Sequence, residues 1–110
     1  MSMQRLTEKA QEALLTAQRE AEQRRHAQLD VEHLLYALIT QTDGVVPQIV
    51  LRLNRDPQAV RADLERVLQS LPRLQYSAEP TVSPALRRTL ERANDEAQAF
   101  GDEYISTEHL

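Results

Sequence analysis

Two Glu-His pairs are the residues in this chain best equipped for chemistry. Glu32-His33 and Glu108-His109 each set a carboxylate beside an imidazole, a combination used to move protons, orient a base or ligate a metal. The metal reading fails on spacing. A zinc protease places two histidines four apart on a helix around a glutamate, and neither pair has such a partner or an evident third ligand. His33 and His109 therefore read as hydrogen-bonded, partly buried side chains that fix the loop before a helix. His26 stands alone near a helix end, where a cation is mildly favoured. The chain has no cysteine, hence no thiolate nucleophile, disulfide or Cys-ligated zinc. It also lacks a Gly-rich loop followed by Lys-Ser or Lys-Thr, so no P-loop cradles phosphate. These residues predict neither catalysis nor a bound metal within this stretch.

The elements that position the two pairs recur with them. Asp30-Val31-Glu32-His33-Leu34 returns 76 positions later as Ser106-Thr107-Glu108-His109-Leu110, and upstream Leu14, Ala17, Glu20 and Ala21 fall on Leu90, Ala93, Glu96 and Ala97. Seven identities over these 29 gap-free pairs compare with roughly two or three expected by chance for so Ala-, Glu- and Leu-rich a chain. The sequence is a tandem helical repeat: a first unit over 1–71, a linker over 72–82, and the start of a second unit over 83–110. A complete second unit would extend to about residue 147, so the chain reads as part of something longer whose uncovered faces lack packing partners.

Within the first unit a helix is expected over 8–25, capped by Thr7, with the stripe Leu6, Ala10, Leu14, Ala17 and Ala21 on one face. The small residues let another helix approach closely. Asp30 caps a second helix that is apolar nearly all round and should be the most buried of its unit. Asp43-Gly44 ends it. A third helix is expected from near Pro47, burying Ile49, Val50 and Leu53. Asp56-Pro57 opens a fourth, burying Val60, Leu64, Val67, Leu68 and Leu71 until Pro72. Ser83-Pro84 repeats the cap-then-proline signal, and Leu86, Leu90, Ala93, Ala97 and Phe100 form a stripe in register with that of the first helix. Gly101 supplies a left-handed helix end; its counterpart, Arg25, is sterically disfavoured there, so the first helix is expected to end differently. Ser106 caps a sixth helix.

The net charge is −4, with acids and bases interspersed. Arg19, Arg24, Arg25 and His26 form a modest basic patch, but Glu20 and Glu22 interleave with it and no aromatic platform accompanies it. A solvated helix face is expected rather than a nucleic-acid surface. No apolar run reaches the roughly 18 residues of a membrane span, and the N-terminus lacks a signal-peptide core. A cytoplasmic protein without membrane association is expected.

The Glu-His-Leu at the start of each second helix, Leu6-Thr7-Glu8, Asp56-Pro57 and the run from Gly101 to Leu110 make residues 6–110 similar to the N-terminal double Clp repeat of Clp-type unfoldases. Asp30-Val31-Glu32-His33-Leu34-Leu35, Asp43-Gly44-Val45-Val46-Pro47 and Leu71-Pro72-Arg73-Leu74 most resemble the ClpB-type disaggregases. The resemblance implies an all-α fold of tandem pseudo-twofold four-helix repeats. It also implies a mobile module ahead of ATPase rings in a homohexamer, handing unfolded or aggregated polypeptide to a central pore, with ATP and Mg bound elsewhere in the full-length protein. The alternatives within the resemblance are the N domain of a ClpC- or ClpA-like unfoldase that binds adaptor proteins or phosphoarginine-tagged clients for proteolysis, and a free-standing Clp-repeat adaptor.

For the disaggregase reading, the resemblance points to Thr7, Asp102 and Glu108 as polar contacts to client, with Leu90 and Leu110 as candidates for a shallow apolar groove. Burial in such a groove is non-directional and suits varied clients. For the phosphoarginine reading, Arg5, Thr7, Glu32, Ser83 and Glu108 fall on the matching positions. Arg5 would pair with the phosphate while Glu32 accepts the guanidinium N–H groups. Glu32 and Glu108 also sit where a carboxylate stabilises a helix N-terminus.

Overall fold

The structure is a computed structural model that describes residues 6–41, 44–76, 78–99, 107 and 110. Among these, five helices follow one another: α1 (Glu8–Gln23), α2 (Val31–Thr40), α3 (Val45–Arg52), α4 (Pro57–Ser70) and α5 (Pro84–Ala99). Two short strands, β1 (Gln28–Leu29) and β2 (Thr81–Val82), precede α2 and α5. The class is all-α, as the residue composition and periodicity imply. No single helix among the described residues is long and apolar enough to cross a membrane.

Four helices start where a polar side chain takes up an N–H that has no partner inside the helix. Thr7 Oγ1 accepts from the Ala10 amide at 3.3 Å, and the Asp30 carboxylate accepts from Val31 at 2.7 Å. Asp56 accepts from Gln58 at 3.0 Å, and Ser83 Oγ from Leu86 at 3.0 Å. Each such cap contributes about 0.5–2 kcal/mol. Thr7 and Ser83 are related by the repeat offset, so α1 and α5 begin in the same way.

The core gathers around α2, which packs against α1, α3, α4 and α5. Six of its ten residues are buried: His33, Leu34, Tyr36, Ala37, Leu38 and Ile39. From α1 come Ala10, Ala13, Leu14, Ala17 and Ala21, all buried, and from α5 Leu86, Ala93 and Ala97. Alanine at these positions lets backbones approach closely while costing little side-chain entropy.

Three expectations need correction. First, α1 ends with Arg25 in the left-handed region, φ 57°, in the conformation a glycine would take. The His26 amide bonds the Ala21 carbonyl at 2.9 Å and the Arg25 amide bonds Glu22 at 3.0 Å, the paired closure of a Schellman end. These bonds outweigh the steric penalty of the Arg25 Cβ. Second, α3 starts two residues before Pro47, because amides of the first turn have no helical acceptor and proline there loses no bond. Gly44 caps it with an ordinary φ of −81°; a Cβ there would lie 2.9 Å from Gln41 Cβ, so close approach, not backbone freedom, calls for glycine. None of the α3 side chains is buried: Ile49 and Leu53 are exposed and Val50 half-buried, since this short helix packs chiefly on α2 and α4. Third, α4 buries Leu68 but not Val60, Leu64, Val67 or Leu71.

The stretch 72–82 holds an unforeseen pairing. Gln28 aligns with Thr81 and Leu29 with Val82 as parallel strands, through Thr81 N–H to Ala27 at 3.1 Å and Ser83 N–H to Leu29 at 2.9 Å. It fixes the start of α5 beside the start of α2. Phe100, Gly101 and Ser106 lie outside the described residues.

Candidate functional site: an apolar groove on α2 and the polar junction beneath it

A helix that is apolar on nearly every side cannot cover all of itself in a small domain. The first two turns of α2 leave a groove of about 310 Å³ lined by Val31, Glu32, Leu34, Leu35 and Leu38, with Leu64 of α4, Thr89 of α5 and Leu110 closing it. Leu35 is 41% exposed. Glu32 is half-buried and, among the described residues, is the only charged one lining the groove. Hydrocarbon walls with one carboxylate suit an extended or helical peptide carrying apolar side chains and a cation.

The polar junction lies where β1 turns into α2. The Asp30 amide donates to His33 Nδ1 at 3.0 Å, and together with the Asp30 carboxylate this forms a capping box in which histidine occupies the place usual for Glu or Gln. His33 Nε2 lies 2.7 Å from His26 Nδ1, and the rings tilt at 56°. His26 and His33 are 3% and 1% exposed. Asp30 Oδ1 also accepts from the hydroxyl of Ser83 at 2.8 Å, while the Ser83 oxygen caps α5. One continuous chain of hydrogen bonds thus joins the end of α1, the start of α2 and the start of α5. It fulfils the role expected of His33 and corrects that of His26, which is paired and buried. The Leu68 backbone faces the His26 ring and favours a proton on it, although His26 Nε2 makes no hydrogen bond of good geometry among the described residues.

Burial is the main reason that both rings resist a proton more than an ordinary histidine. Arg24 and Arg73 push His26 further down. His33 is lowered also by His26 and Arg24, against the opposing pull of Asp30.

The basic patch differs from expectation at its centre. Arg24 is not solvated: its guanidinium bonds Glu20 at 2.9 Å and Glu65 of α4 at 2.8 Å, with its side chain only 14% exposed. It also lies 5.6 Å from the centre of the Tyr36 ring, with Arg61 at 5.9 Å from the same centre. Burial works against the Arg24 charge, but the two carboxylates together outweigh it and raise its pKa. The hydrogen bond from Arg24 is the chief cause holding the Glu65 carboxyl below the usual range. Arg24 therefore clamps α1 to α4 and is not offered to a polyanion.

Of the residues singled out from sequence, the structure brings Glu32 and Leu110 together at the groove. Leu90 is half-buried and packs against the core cluster, one residue from the groove-lining Thr89. Thr7 and Ser83 are helix caps, and Ser83 is 2% exposed. Arg5, Asp102 and Glu108 lie outside the described residues, as does His109. The sequence reasoning missed Val31, Leu34, Leu35, Leu38 and Leu64 as groove walls. The signal was there in the α2 segment, apolar on more sides than a half-buried helix needs. Among the described residues no group of three or more His, Cys, Asp or Glu side chains is placed to hold a metal.

Positions related by the repeat offset cap α1 and α5, and α2 between them carries the open groove, which defines an all-helical domain with one open apolar face. Residues 5–110 match the Clp repeat (R) N-terminal domain, and the chain belongs to that family. It is 38% identical over 106 residues to a "Chaperone protein ClpB" of Bdellovibrio bacteriovorus, covering 96% of this chain and 12% of that protein. It is 39% identical over 114 residues to a "Chaperone protein ClpB" of Nitratidesulfovibrio vulgaris, covering 100% of this chain and 13% of that one. The chain thus spans about an eighth of the length of the curated relatives it matches. Among solved structures, the N-terminal domain (1-163) of the ClpV1 ATPase from the E. coli EAEC Sci1 T6SS superposes with a TM-score of 0.88 at 29% identity, covering 96% of this chain and 64% of that one.

Proposed function

We propose that this domain captures unfolded or aggregated polypeptide as the N-terminal module of a ClpB-like chaperone, and that the α2 groove is where the client docks. The groove itself carries the reading: apolar walls from Val31, Leu34, Leu35, Leu38 and Leu64, with one carboxylate from Glu32, gather apolar segments without a sequence code. The identity to ClpB chaperones over the whole chain supports the setting. In that setting the domain precedes ATPase rings of a homohexamer that bind ATP and Mg, and it contributes binding, not hydrolysis. The repeat boundaries at 71 and 83 belong to this reading.

The test is saturable binding of a permanently unfolded protein, measured by fluorescence anisotropy. Leu35→Asp places a charge on an exposed groove wall and should weaken capture about tenfold or more, the loss of roughly one good apolar contact, with the helical circular-dichroism signal unchanged. Capture equally strong in Leu35→Asp and Leu64→Asp would show that the client docks elsewhere.

A further inference from the structure

We propose that the buried His26–His33 pair is a proton-operated latch: when neutral it ties the N-terminus of α2 to the N-terminus of α5, and one added proton opens the tie. Where protons can sit fixes the state of both rings. A backbone amide can only donate, so the Asp30 N–H at 3.0 Å requires a bare lone pair on His33 Nδ1. Neutral His33 must then carry its proton on Nε2. That N–H points at His26 Nδ1, 2.7 Å away, which must be bare in turn, and the His26 proton sits on Nε2. The tautomers of both rings are fixed by one peptide group.

A further proton has no acceptable place. On His33 Nδ1 it faces the Asp30 amide. On His26 Nδ1 it faces the His33 N–H, and relieving that contact by changing the His33 tautomer again sends a proton toward Asp30. Every arrangement puts two donors against each other inside the core: a proton on His33 breaks the capping box directly, and one on His26 breaks the contact that holds the His33 ring in that box. Asp30 then loses the constraint that aims its carboxylate at Ser83 Oγ, 2.8 Å away. Through Ser83 the α5 cap on Leu86 is loosened as well.

The charges around the pair favour this sense. Arg24 at the end of α1 and Arg73 in the segment after α4 both oppose a proton on His26. Asp30 alone opposes this effect at His33, since Glu20 and Glu65 are bound to Arg24. From the α5 side the pair meets uncharged Ser83 through Asp30. With both rings lowered, their contribution to stability is fully present above the ordinary histidine value and is lost as pH falls through the lowered one. The device stands whether or not the groove takes a client.

Imidazole nitrogen shifts and amide hydrogen exchange, followed in this chain between about pH 8 and pH 5, test it. At the upper end both rings should show protonated Nε2 and bare, hydrogen-bonded Nδ1; a His33 ring protonated on Nδ1 would overturn the proposal. As pH falls, the opening equilibria reported by the Val31, Leu34 and Leu86 amides, corrected for intrinsic rate, should rise together by up to about tenfold per pH unit for each proton taken up. Protection of Leu86 that stays constant while Val31 is released would remove the tie between the helices. His33→Gln restores a conventional capping box that cannot titrate and should flatten the pH dependence at Leu86. An undiminished slope in that variant would likewise overturn the latch, and the wild-type measurements decide the matter if the variant does not fold.

Discussion

Helices α1 and α3 invert the usual link between apolar content and burial. The α1 sequence is dominated by Glu, Gln, Arg and Ala, yet five of its residues lie in the core. In α3, Val45, Val46, Ile49, Val50 and Leu51 dominate, yet no residue is buried. Position in the fold decides the outcome. Helix α1 lies along α2 over a stripe of alanines narrow enough for close approach, whereas α3 is short and packs chiefly on α2 and α4, with fewer neighbours to cover it. Apolar character supplies a driving force, but burial requires a neighbour of matching shape.

The α3–α4 edge allows the contrast to be broken most sharply at two adjacent residues. Leu68 is fully buried, at 0% exposed, while Val67 is 43% exposed. Leu68→Ala should cost about 2–5 kcal/mol by leaving a cavity beneath α2. Val67→Ala should stay within about 0.5 kcal/mol. Urea denaturation of the two variants measures the difference. Equal losses would mean that the outer face of α4 is covered in solution, and α3 with it.

Two aspartate caps provide the next largest contrast. Asp30 serves the α2 start and the buried Ser83 hydroxyl together; Asp56 serves only an exposed amide on α4. Asp30→Ala should cost about 2–3 kcal/mol, a lost cap and a stranded hydroxyl, against about 0.5–1 kcal/mol for Asp56→Ala. Similar values in thermal denaturation would show that the junction contributes nothing beyond capping.

These contrasts mark what was legible in the sequence. Caps are local chemistry, so Thr7, Asp30, Asp56 and Ser83 announced their helices, and the alanine stripes of α1 and α5 announced their faces through period and repeat alike. The non-local features stayed hidden. A two-residue strand carries no alternation to read, so β1–β2 pairing had no signal. His26 and His33 lie seven apart across a turn, and only the Schellman end that swings His26 back brings them together. Whether Ile49 or Leu53 is covered depends on neighbours that periodicity does not name. At the site, the walls of the groove were visible as excess apolarity in α2, but which residues faced the opening depended on α4 and α5.

The smallest effect compares two helix ends of the same geometry. Arg25 closes α1 and Asn54 closes α3, with φ of 57° and 60°, each followed by the same pair of amide-to-carbonyl bonds. Asparagine tolerates this conformation, whereas arginine carries the full clash of its Cβ with the neighbouring carbonyl. Arg25 is exposed, so its removal strands no partner in the core. Arg25→Gly should therefore stabilise the fold by about 1 kcal/mol, the penalty relieved less the entropy of a more flexible unfolded chain. Asn54→Gly should change it by only a few tenths. If Arg25→Gly destabilises instead, the arginine side chain makes a contact that outweighs its strain, and the end of α1 is held by more than its backbone bonds.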